Sequence, residues 1–144
     1  MRYCTLFIRS KNDGILPSSV FLASAIKSAT FSDNRSPERV ASRARLRKAG
    51  IAQRAGVPRY RWHLDTHGKV NSDDLGDHLG WLLNRLKKGK GLTDLRNQGF
   101  EYYFSVFWGG NGTGGGPLIT REALAMLALH EAEIGVCFYY EETQ

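Results

Sequence analysis

At 144 residues, 42% apolar and 24% charged, the chain is long enough to bury one core, too short for two, and too rich in large side chains for wholesale disorder. No stretch approaches the roughly 20 uninterrupted apolar residues of a membrane span, and the apolar run in MRYCTLFIRSKND is too short for a secretory signal, so a cytoplasmic protein with no membrane partner is expected. The charge of +6 is unevenly placed: residues 35–61 hold nine basic side chains against one acid, Glu38, a net +8 that leaves −2 for the rest.

Residues 2–9, RYCTLFIR, read as a strand with Tyr3, Thr5 and Phe7 on one face and Cys4, Leu6 and Ile8 on the other; apolar side chains on both faces predict a central position. After the turn-like KNDG, Pro17 and Ser18 open a short helix that turns Val20, Phe21, Ala23, Ala25 and Ile26 to a core. Ser36 then caps a helix with Pro37 at its first position and Glu38 in its first turn, running through SPERVASRARLRKAG to Gly50. Its apolar residues are few and small, while Arg39, Arg43 and Arg47 recur every four residues, so this segment is expected to sit on the surface or move.

YRWHLDT is a strand with Tyr60, Trp62 and Leu64 inward and Arg61, His63 and Asp65 outward. The strongest helix follows, with Ser72 as its cap, Asp73 and Asp74 in the first turn, Leu75, Leu79, Leu82, Leu83 and Leu86 at helical spacing, and Lys87 and Lys88 before Gly89. FEYYFSVFW is a third strand whose aromatic density suits burial against helices. The glycine-rich loop 109–116 leads to a helix capped by Thr120 with Leu124, Leu127 and Ala128 inward, and IGVCFYY is the last strand. The expected fold is therefore α+β: one domain, 1–144, of about four strands and two to three helices, with a basic insertion at about 30–58. Leu75, Leu79, Leu82, Leu86, Leu124 and Leu127 are expected to pack the sheet, with Trp62 and Phe104 as core aromatics.

The segments RYCTLFI, YRWHLDT, DLGDHLGWLLNRL, GTGGGPLITREALAMLA and IGVCFYYEE, most of the chain outside 27–58, together resemble the bacterial domain-of-unknown-function family 4279. The resemblance implies a mostly antiparallel sheet covered by helices, with no established activity and no catalytic residues to carry over. It also implies company with bacterial toxin and conflict systems, as small partner or immunity-type proteins. Relatives usually have a shorter, less basic connection after the first helix, so a function housed in Arg35–Arg61 is this chain's own.

Several motifs bear on chemistry. Gly110, Gly112 and Gly115 match G-x-G-x-x-G between a strand and a helix, the context of a nucleotide phosphate site. Pro117, Leu118 and Ile119 intervene before the helix cap, no Walker lysine follows and no parallel βαβ unit is indicated, so a plain connecting loop is expected. His63, Asp65 and His67 alternate as metal ligands on one strand face would, but Trp62 and Leu64 pointing inward explain the same alternation. His78 lies at the edge of the Leu stripe, in reach of Asp74, and Asp73 and Asp74 are explained by capping. Cys4 and Cys137 lie in apolar strands where a reduced, buried thiol is the ordinary state; a disulfide would need the terminal strands side by side.

The basic segment is the feature that asks for a partner. The expectation is a non-enzymatic protein, with no catalytic residue, cofactor or metal. It would act as an immunity- or antitoxin-type or phage-defence inhibitor, by stoichiometric binding to another protein. Its contacts would be Arg35, Arg39, Arg43, Arg45, Arg47, Lys48, Arg54, Arg59 and Arg61. The alternative is an RNA- or DNA-binding module using the same segment, 35–61, with Tyr60 or Trp62 beside it.

Overall fold

The computed structural model describes residues 1–10, 30–53, 57–86, 92–110 and 115–140. Five strands form one sheet in the order β2-β3-β1-β4-β5: β1 is Arg2–Ser10, β2 Thr30–Asp33, β3 Tyr60–Asp65, β4 Phe100–Gly110 and β5 Glu133–Tyr140. β1 takes the central place expected of it, antiparallel to β3 on one side and to all but the last two residues of β4 on the other. β2 adds antiparallel to β3, and β5 adds parallel to β4, so the sheet is mixed but mostly antiparallel. The approach of β4 to the start of β1 needs a glycine: the Gly109 N–H donates to Met1 O at 2.7 Å, and a Cβ there would lie 3.0 Å from the Met1 backbone.

One face of this sheet carries Cys4, Leu6 and Ile8 of β1, Trp62 and Leu64 of β3, and Phe104, Val106 and Trp108 of β4, all buried. Three helices pack on it. α2 (Leu75–Leu83) contributes Leu75, Leu79 and Leu82, α3 (Leu92–Asn97) Leu92 and Leu95, and α4 (Arg121–Leu129) Ala123 and Leu127. Each fully buried leucine contributes roughly 1.5–3 kcal/mol through removal of its side chain from water. The remaining helix, α1 (Pro37–Lys48), buries nothing.

The elements depart from expectation at several points. The sheet has five strands rather than four, because the four-residue β2 pairs with β3. α3 is also unforeseen, a six-residue helix anchored by only two leucines. The cap of α2 lies two residues later than Ser72: Asp73 O accepts from Leu118 N–H at 2.8 Å and Leu118 O from Leu75 N–H at 3.0 Å, which holds Asp74 extended. Asp74 becomes the cap, accepting from Gly76 N–H at 2.7 Å, while Ser72 Oγ accepts from Asp74 N–H and donates to Asp77. The helix ends at Leu83, so Leu86 is only partly buried. In α4 the inward pair is Ala123 and Leu127; Leu124 is 56% exposed and Ala128 exposed, because each lies one position, or 100°, off the packed line. The expected helix opened by Pro17, like Lys87 and Lys88, lies outside the described residues.

Candidate interaction surface

α1 is held by its own ends. Ser36 Oγ accepts from Arg39 N–H, Pro37 occupies the first turn and Glu38 faces the positive end of the dipole. At the other end Gly50 adopts φ +77, and its N–H and that of Ile51 return to Arg47 O and Leu46 O at 2.9 Å each, a Schellman closure. Arg43 donates to Asn34 O, and Asn34 to Pro58 O at 2.6 Å, tethering the helix to the β2–β3 end of the sheet. Arg39, Arg45, Arg47 and Lys48 stand exposed on a helix with no core-facing side. Of the other basic residues singled out, Arg35 precedes the helix and Arg54 lies outside the described residues. Arg59 pairs with Asp33 at 3.4 Å and lies over the Tyr60 ring at 4.7 Å. The Arg35 backbone N–H and, less, Arg59 hold the Asp33 carboxyl below the usual carboxylate range.

Arg61 leads from this helix to a surface that the sequence reading missed. It projects from β3 to the sheet face opposite the core, where its guanidinium lies 4.5 Å over the Phe7 ring. Among the described residues no helix covers that face. Its side chains form two transverse rows of rings. In one, His63, Phe7 and Tyr103 succeed one another across β3, β1 and β4, with centroids 5.8 and 5.0 Å apart. In the other, His67, Tyr3, Phe107 and Tyr139 run from the end of β3 to β5, with centroids 5.4, 5.0 and 5.1 Å apart. Arg9 lies over Tyr103 at 5.6 Å and pairs with Glu101 at 2.7 Å. Burial, reinforced by Arg61, pushes the pKa of His63 down, with Asp65 opposing. The signal for it lies in the spacing: Tyr3 and Phe7 in β1 and Tyr103 and Phe107 in β4 recur four residues apart, on the face opposite Cys4, Leu6, Phe104 and Val106.

The other motifs resolve differently. His78, expected at the boundary and near Asp74, is 0% exposed. Its Nε2 faces Ser72 O at 3.0 Å, so Nε2 carries the hydrogen and Nδ1 accepts from Thr66 Oγ1 at 2.6 Å; Thr66 in turn accepts from Cys4 N–H at 2.9 Å. This buried chain ties β1 and the end of β3 to α2, with the Trp108 ring edge-on at 6.0 Å. Cys4 is buried and its thiol is pushed up to about 12 by desolvation, whereas Cys137 is exposed, contrary to expectation, because β5 is an edge strand. The two thiols sit on opposite faces with β4 between them, so no disulfide joins them.

His67 lies beyond the end of β3 with its ring tilted against Tyr3, and among the described residues no three His, Cys, Asp or Glu side chains converge on a common point. β4, α4 and β5 do form a parallel unit, against expectation, and Gly112 of the glycine motif lies outside the described residues. The start of α4 is nevertheless occupied: Thr120 Oγ1 accepts from Ala123 N–H at 3.2 Å and donates to Asp74 at 3.4 Å, which sets a carboxylate where a phosphate would go. A cavity of about 220 Å³ at the start of β4, lined in part by Arg9, Arg96, Glu101 and Glu133, is smaller than an ordinary ligand pocket.

No family model matches the chain, and neither a curated protein nor a solved structure does. Among the described residues no helix is long and apolar enough to cross a membrane.

Proposed function

We propose that the protein is a non-enzymatic binding protein that docks nucleic acid through its arginine-rich segment. The observation that carries this reading is the position of Arg61, which belongs to the basic segment and lies over Phe7 on the open face. It brings one arginine of the basic segment onto the field of aromatic rings, while Arg43 ties the cationic helix to Asn34 at the end of β2. Arginine neutralises phosphates and stacks on rings, and binding of single strands combines such charge with aromatic side chains on which bases stack. From sequence alone a protein partner is favoured; the aromatic face, which none of the described helices covers, moves the weight to nucleic acid.

Fluorescence anisotropy with labelled RNA and DNA oligonucleotides tests it. At physiological salt the wild type binds, and R39E/R45E/R47E, which leaves the Arg43 tether alone, abolishes binding while the melting temperature holds. Absence of binding by the wild type contradicts the reading.

A second reading, the immunity- or antitoxin-type inhibitor of a toxin or defence component, is favoured by a different observation. Phe138 on β5 is 68% exposed, and Val136, Leu118 and Leu124 are exposed as well. Apolar side chains left open on an edge strand suit a protein partner.

A further inference from the structure

We infer that the open face of the sheet stacks unpaired bases, so that the nucleic acid this protein takes is single-stranded. The inference rests on the nucleic-acid reading and names the ligand class of the same surface. In a duplex both faces of every base are occupied by neighbouring pairs, so a surface of rings is useful only to bases that are not paired.

The two ring rows have the arrangement such bases need. Tyr3–Phe107 and Phe7–Tyr103 are near-parallel pairs, at 16° and 21°, while His63, His67 and Tyr139 meet their rows at tilts of 43°, 54° and 34°. The longer row ends in the open at Tyr139, 61% exposed, where a further ring can be added. Five strands place about 19 Å between the edges of the sheet, enough for several nucleotides laid across it.

Charge sets the orientation. The acidic groups gather toward the start of β4 and β5, where Glu101 is paired with Arg9 and Glu133 lies beside it in the small cavity. On the opposite side, Asp65 accepts from His67 N–H at 3.0 Å, Arg61 and His63 line β3, and Arg43 ties α1 to Asn34 at the end of β2. The strand of nucleic acid accordingly sets its phosphates toward β3 and α1 and its bases over β1 and β4. Arg61, over the Phe7 ring, serves both.

The test compares a single-stranded poly(U) oligonucleotide with a duplex RNA of equal length, using wild type, Phe7→Leu/Phe107→Leu, Tyr139→Leu and R39E/R45E/R47E. Leucine keeps apolar cover on the face while removing the ring, and the exposed Tyr139 gives a variant with no bearing on folding. The wild type binds the single strand more tightly than the duplex. Phe7→Leu/Phe107→Leu loses roughly 5- to 150-fold in affinity for poly(U) for each base unstacked and changes little for the duplex. Tyr139→Leu moves the same way by less.

If the ring variants leave poly(U) affinity unchanged while R39E/R45E/R47E abolishes it, stacking is overturned and the nucleic-acid reading survives. If wild type binds neither oligonucleotide, both fall. Self-association that is lost in Phe7→Leu/Phe107→Leu, without poly(U) binding, would assign the face to a second copy and overturn the inference too. Binding of a toxin-like protein that depends on these rings, again without poly(U) binding, would do the same.

Discussion

α1 and α2 are both capped helices of modest length, yet they stand in opposite relation to the fold. α2 buries Leu75, His78, Leu79 and Leu82 and is joined to β1 and β3 through Thr66. α1, with a serine cap, a first-turn proline and a glycine closure, buries nothing. Caps define where a helix starts and stops, but only an apolar face makes it part of the core. α1 has the former without the latter, so its arginines ride on a local scaffold that the core does not need. The sheet repeats the contrast: from Cys4 to Ser10, Tyr60 to Leu64 and Phe100 to Trp108 the even-numbered side chains are buried, while the odd-numbered ones, Thr5 apart, are only partly buried or exposed.

The sharpest way to break this comparison is to make one truncation in each helix. Leu82→Ala, in α2, is expected to cost about 2–5 kcal/mol because Leu82 is fully buried and its neighbours cannot close the cavity. The same change at Leu46, exposed on α1, should stay within about 0.5 kcal/mol. Chemical denaturation of the pair measures both; equal losses would mean that α1 is integral to the fold.

Thr66→Val probes the joint between α2 and the sheet at nearly constant volume. Without the hydroxyl, the Cys4 N–H and His78 Nδ1 are left buried without partners, at about 1–3 kcal/mol for each unsatisfied group. A melting temperature unchanged from wild type would show that the hydrogen-bonded chain contributes nothing.

Much of this was legible in the sequence because it is local. The alternation in YRWHLDT set the faces of β3, the leucine spacing located α2, and Ser36, Pro37 and Gly50 bounded α1. β2 and α3 were not legible, since TFSD and LTDLRN are too short to show a period and form through tertiary pairing. The cap of α2 moved because Leu118, distant in sequence, pairs with the backbone beside Asp74. The candidate surface was half legible. Charge counting located the arginines, but β1 and β4 are apolar on both faces, and periodicity does not say which of two apolar faces a helix will cover.

Hydrogen–deuterium exchange with and without a single-stranded oligonucleotide tests most directly whether α1 and the open face form one nucleic-acid surface. With no buried residue, α1 opens at little cost, and its amides exchange quickly in the free protein. On binding, protection should rise sharply over Pro37–Lys48 and along β3 around Arg61, and vanish in R39E/R45E/R47E. Bound oligonucleotide that leaves Pro37–Lys48 unprotected, or protects α4 and β5 around Leu124 and Phe138 instead, would contradict the account.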